Sequence, residues 1–81
     1  MTREEIFEGL KGVLSVVKPK MDLSGISEES RLVLDLGLDS LSMLLMSLAI
    51  EQKFAFEMKE PKPFETVGSV IDFIAAVKAE Q

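Results

Sequence analysis

Asp35-Leu36-Gly37-Leu38-Asp39-Ser40-Leu41, with the run from Ser42 to Phe54 behind it, is the stretch on which the fold of this chain turns. A glycine-bearing loop ends there in a polar pair, Asp39-Ser40, and no charge follows until Glu51. Asp and Ser are strong helix N-caps, because a side-chain oxygen accepts from the unpaired N–H groups of the first turn. A helix is therefore expected from at or next to Ser40 to Phe54, with the Ser40 hydroxyl at its positive end. Gly37 is expected to allow a tight backbone just before it.

At about 100° per residue this helix has two apolar sides. Met43, Met46, Ile50 and Phe54 fall on one, and Leu41, Leu44, Leu45 and Leu48 on roughly the opposite one. A helix in a small bundle buries one stripe fully. Leu44, bordering the core side, is expected to be buried. Leu41, Leu45 and Leu48 are expected to form an exposed docking face, since exposed apolar patches mark interaction sites.

Outward from this stretch the pattern stays helical. Thr2 and Glu5 have capping-box spacing, and Ile6, Phe7, Leu10, Val13, Leu14 and Val17 form one stripe that ends before Pro19. Lys18 to Leu38 is a connection of about 20 residues, long for a small domain. Leu23, Ile26, Leu32, Leu34 and Leu36 are expected to pin it across the helices, with one turn at Ser27–Ser30 capped by Ser27. Pro61 and Pro63 exclude a long helix from Ala55 to Glu65, where Phe56, Met58 and Phe64 can plug the core. Thr66 caps a last helix with the stripe Val67, Val70, Ile71, Ile74 and Val77. Gly68 is placed for close approach to a neighbour, and Lys78 suits the negative helix end. The five Met residues read as core filler, and Glu28-Glu29 and Lys59-Glu60 as solvated surface. The expected fold is all-α: a small antiparallel bundle of three main helices plus one short helix, with a long loop between helices 1 and 2.

Eighty-one residues make one small domain, 1–81, close to the lower size limit for a single core. With no Cys and no His, disulfides are impossible and the common metal ligands are missing, so helix packing must supply the stability. A Ser nucleophile also lacks its commonest base, which argues against an enzyme. A net charge of −5 argues against nucleic acid and for partners with basic patches. No apolar run approaches the roughly 20 residues of a membrane span. The acidic start, Met1-Thr2-Arg3-Glu4-Glu5, lacks signal-peptide character, and cytoplasm is the expected compartment.

The central motif resembles the prosthetic-group attachment motif of acyl carrier proteins. Upstream, Ile26-Ser27-Glu28-Glu29-Ser30-Arg31-Leu32 is similar to the loop that leads into it. Downstream, the run from Phe64-Glu65-Thr66-Val67-Gly68 to Ile74 is similar to the start of the family's last helix. The resemblance implies a carrier, not a catalyst. A phosphopantetheinyl transferase moves 4′-phosphopantetheine from coenzyme A onto a serine matched by Ser40, and the terminal thiol holds acyl groups as thioesters. Asp39 matches an acid that helps bind the transferase's Mg²⁺, and Gly37 belongs to the same motif. A chain without Cys needs such a borrowed thiol, and a phosphodiester at a helix N-terminus meets favourable N–H groups and dipole.

The chain departs from fatty-acid family members, whose second helix carries several acids. Ser42 to Ile50 has none, and Ser42, Leu45 and Leu34 stand where acids are common. Docking is then expected to rest on apolar contact through Leu41, Leu45 and Leu48. The expected role is a carrier for a specialised fatty-acid, polyketide or related pathway, serving acyl-loading and acyl-using synthases or ligases. A peptidyl or aminoacyl carrier is one alternative. An unmodified interaction module, with Ser40 only a helix cap, is another, and a Ser40 hydrolase a distant third. A monomer is expected, with weak self-association through the leucine face.

Overall fold

In the computed structural model, residues 1–58 and 64–80 are described. They form three helices, α1 (Arg3–Val17), α2 (Ser40–Lys53) and α3 (Val67–Ala79). The single short helix expected between Ala55 and Glu65 falls on a segment whose centre, 59–63 with Lys59, Glu60, Pro61 and Pro63, lies outside the described residues.

Each helix starts where the sequence provides a cap. Thr2 Oγ1 accepts from the Glu5 N–H at 3.1 Å, and the Glu5 carboxylate accepts from the Thr2 N–H at 2.9 Å. Thr66 and Ser69 repeat the reciprocal pair at the head of α3, both at 3.1 Å. α1 stops as Pro19 requires, the Lys18 N–H donating to the Leu14 carbonyl at 2.8 Å. The inner stripes are those the spacing predicts: Ile6, Leu10, Val13 and Leu14 on α1, and Val67, Val70, Ile71 and Ile74 on α3. Burial of this kind stabilises by roughly 1.5–3 kcal/mol per large side chain.

α1 packs against both other helices, whereas α2 and α3 have no Cα pair within 8 Å. Sequential helices alternate in sense. The Phe54 ring at the end of α2 lies on Gly9 in the first half of α1, so close that a Cβ there would stand 2.7 Å from Phe54 Cζ. The start of α3 returns to the start of α1, where Arg3 pairs with Asp72 at 2.5 Å and with Glu28.

The long connection fills the seam between α2 and α3. Its leading part is bonded to the head of α3: the Leu32 N–H donates to Glu65 O at 2.9 Å, Val67 N–H to Ser30 O at 2.9 Å and Gly68 N–H to Glu28 O at 2.8 Å. A Cβ on Gly68 would be 3.0 Å from that Glu28 oxygen, the close approach the sequence suggested. Leu32 and Leu38 are fully buried, and Leu23, Ile26 and Leu36 pack partly against the core. From the connection after α2, Phe56 and Phe64 meet Phe73 of α3 edge-on, with ring centroids 5.8 and 5.5 Å apart.

Several expectations are corrected. Leu34 does not pin the loop and is 73% exposed. Residues 31–37 coil, with Asp35 and Leu36 N–H groups on Arg31 O and Gly37 N–H on Val33 O. A coil of that pitch turns Leu32 and Leu36 inward and Val33 and Leu34 outward. The turn at Ser27–Ser30 forms, but its cap is reversed: Ser30 Oγ accepts from the Ser27 N–H at 3.0 Å. Glu28 is half-buried and paired with Arg3, so it is more than solvated surface. Met1 is exposed, while Met46 is buried and Met21, Met43 and Met58 pack against the core.

α2 closes with a left-handed residue. The Phe56 N–H reaches back to Glu51 O at 3.1 Å, and Ala55 between them has φ of 55°. That is the C-terminal geometry usually given to glycine. Ala55→Gly should raise stability by about 0.5–1 kcal/mol, the relief of the side-chain clash less glycine's greater chain entropy. Urea unfolding of the two proteins measures it.

Candidate functional site

The site is the junction between the coil and α2. Gly37 has φ of +72°, a conformation that side-chain-bearing residues rarely adopt. It reverses the coil so that Leu38 can enter the core, its N–H on Leu32 O at 3.0 Å. Leu38 precedes the cap and shares a groove with Met43, four residues into the helix. This is a hydrophobic staple, and it fixes the angle at which the chain enters α2. Leu38 does have a signal in the sequence, an apolar residue just before an N-cap.

Asp39 is extended, with φ of −91° and ψ of −177°, and its carboxylate accepts from the Ser42 N–H at 2.8 Å. Either member of the pair was able to cap on sequence grounds; Asp39 does. Ser40 is thereby the first helical residue, exposed, with no hydrogen bond to its hydroxyl among the described residues. Since Asp39 satisfies Ser42, the N–H groups of Ser40 and Leu41 are left without a partner in the helix. An anion carried on Ser40 therefore meets open donors and the positive end of the dipole. A phosphate ester suits that position. Among the described residues no base is hydrogen-bonded to the hydroxyl, and the nearest carboxylate in sequence, Asp39, is committed to a backbone N–H.

The hydrogen bond from Ser42 holds the Asp39 carboxyl below the usual aspartate range, and the charge of Lys18 adds to this. Among the described residues no cluster of acids is arranged to hold a metal ion.

Beyond Ser40, α2 shows which side it keeps dry. Ser42, Met46 and Ile50 are buried, with Met43 and Ala49 beside them. Leu41, Leu44, Leu45 and Leu48 are 65, 52, 43 and 50% exposed. Leu44 is thus on the outer side, contrary to expectation. The buried line runs through Ser42 and Met46, and Leu44 lies two residues from each, nearly half a turn away. Met43, Leu44 and Leu48 line a largely apolar groove of about 560 Å³ beside Ser40, together with Val33 and Met58, and the carboxylates of Asp39 and Glu51 border it. Neither Val33 nor Met58 was singled out for this, because only folding brings the coil and the segment after α2 to the same helix. Ser47, also in the groove, spends its hydroxyl on Met43 O at 3.1 Å.

The lowered Asp39 pKa gives a sign. Its contribution to stability is present above the ordinary aspartate pKa of about 3.9 and is lost as pH falls through the lower folded value. The Ser42 amide resonance should therefore titrate in acid with a midpoint below the ordinary range, and Asp39→Asn should abolish the transition.

Comparison with known proteins agrees with this geometry. Residues 8–77 match the family model described as "Phosphopantetheine attachment site". An acyl carrier protein of Coprothermobacter proteolyticus is 40% identical over 76 residues, covering 91% of this chain and 92% of that protein. One from Thermotoga maritima is 33% identical over 75 residues (90% and 91% covered), and one from Helicobacter hepaticus 34% over 76 (91% and 99%). The chain belongs to the acyl carrier protein family, non-catalytic carriers whose working group is a covalently attached 4′-phosphopantetheine.

Proposed function

We propose that Ser40 is the attachment residue and that residues 1–81 act as one carrier domain, presenting acyl groups on its arm. The observation that carries this is the division of labour at the helix start: Asp39 caps, and the exposed Ser40 hydroxyl is left over. The arm supplies a terminal thiol for thioester formation, which a chain without Cys lacks. The chain's own residues supply a fixed hydroxyl, open N–H donors for the ester phosphate, and a loop held by Gly37 and Leu38. With no base bonded to it among the described residues, the hydroxyl is read as activated by the modifying transferase, with Asp39 sharing that enzyme's Mg²⁺. Reliance on coenzyme A fits a cytoplasmic carrier.

Partner synthases or ligases are read as docking on Leu41, Leu45 and Leu48. This face carries no acid from Ser40 to Ile50, so contact is dispersive and hydrophobic, with little long-range steering. That favours a dedicated carrier of a specialised fatty-acid or polyketide pathway, whose partners offer matching apolar surface. The largely apolar groove beside Ser40 supports acyl cargo.

Co-expression with a broad-specificity transferase should raise the intact mass by one phosphopantetheine on Ser40. Ser40→Ala should show no gain while its stability stays within about 0.5 kcal/mol, because the cap is elsewhere. An unchanged wild-type mass in folded protein would refute the assignment. Leu45→Glu should likewise keep stability within about 0.5 kcal/mol and slow acyl transfer by the cognate partner; unfolding would show Leu45 to be structural.

A further inference from the structure

Two of the chain's nine cations, Lys18 and Lys20, stand together where α1 ends. The Lys18 carbonyl accepts from the Met21 N–H at 3.0 Å, a turn that leaves Lys20 exposed and Lys18 half-buried. Both lysines line one depression whose far wall includes Asp35 and Gly37, the loop that runs into Ser40.

The acids around that depression are already engaged. Asp22 accepts from the Ser24 N–H at 2.9 Å. Asp35 accepts from the Arg31 N–H at 2.7 Å and from its guanidinium at 3.3 Å. Neither lysine has an ion-pair partner among the described residues. A lysine at a helix C-terminus suits the dipole whatever else it does. That accounts for Lys18 following α1, but not for a second cation beside it against the loop leading to Ser40. The charge of Lys18 already reaches Asp39, the residue before the attachment serine. A phosphodiester on Ser40 adds a second negative charge next to that carboxylate, and the helix end offsets only part of the repulsion.

We infer that Lys18, supported by Lys20, is a positioning residue for the phosphate on Ser40, drawing the root of the arm toward the Gly37 side of the loop. This rests on Ser40 being the attachment residue. Direction matters because Ser40 also borders the leucine groove. An anchored phosphate fixes the point from which the arm departs.

The test uses the modified protein and the ³¹P resonance of its phosphodiester, referenced to the same protein in denaturant. In the wild type the folded protein should displace the resonance, and added salt should shrink the displacement. Lys18→Gln should gain the same mass on Ser40 but lose most of the displacement and its salt dependence. Lys18→Arg should restore both, and Lys20→Gln should lose a smaller part. A modified Lys18→Gln protein with the wild-type displacement and salt response overturns the inference. Should Lys18→Gln melt far below the wild type, Lys20→Gln decides: a wild-type displacement and salt response there overturn the inference. Failure of the wild type to gain mass removes the attachment reading, and this inference with it.

Discussion

The hydrogen bond from the Ser42 N–H to the Asp39 carboxylate sets the terms for the rest of the molecule. A helix N-terminus has several donors and few acceptors, and one side chain must take the first of them. Because Asp39 does so, the neighbouring hydroxyl is spared. Gly37 and Leu38 serve the same end from the other direction. The first bends the backbone, and the second is driven into the core, so the cap is delivered at a fixed angle. The scaffold therefore holds a reactive oxygen still without engaging it.

The three-helix arrangement follows from one helix touching both others. α1 is the common wall, and the seam between α2 and α3 is filled by side chains from the connections, Leu32, Leu38 and Phe64 among them. Tethering of the long connection to the head of α3 through backbone bonds explains how a small chain supports so long a loop without disulfides. The loop is structural over most of its length, and its last residues lead into the proposed attachment serine.

Helix existence, ends and inward stripes were legible because caps, prolines and periodicity are local properties. Thr2 with Glu5, Pro19 and Thr66 each marked a boundary that the structure keeps. The candidate motif stands out as well, since its residues are contiguous. What periodicity could not resolve was rotation. α2 is apolar on both sides, so its pattern has no strong direction, and a buried serine at position 42 sets the inward line that exposes Leu44. Leu34 differs for a related reason: the connection around it is a coil and not a strap across the helices, and its pitch reverses the expected side. Val33 and Met58 were invisible as groove residues because their meeting is a product of tertiary structure.

The missing contact between α2 and α3 has a mechanical meaning. Two interlocked helices separate only by breaking a ridge-and-groove interface along their whole length. Here the two backbones stand apart, and side chains close the space, Phe56 and Phe64 of the connection against Phe73 of α3 among them. That line, beside the helix that bears Ser40, has no interlocked backbone ridges to break. Local opening along such a line needs far less free energy than unfolding the whole.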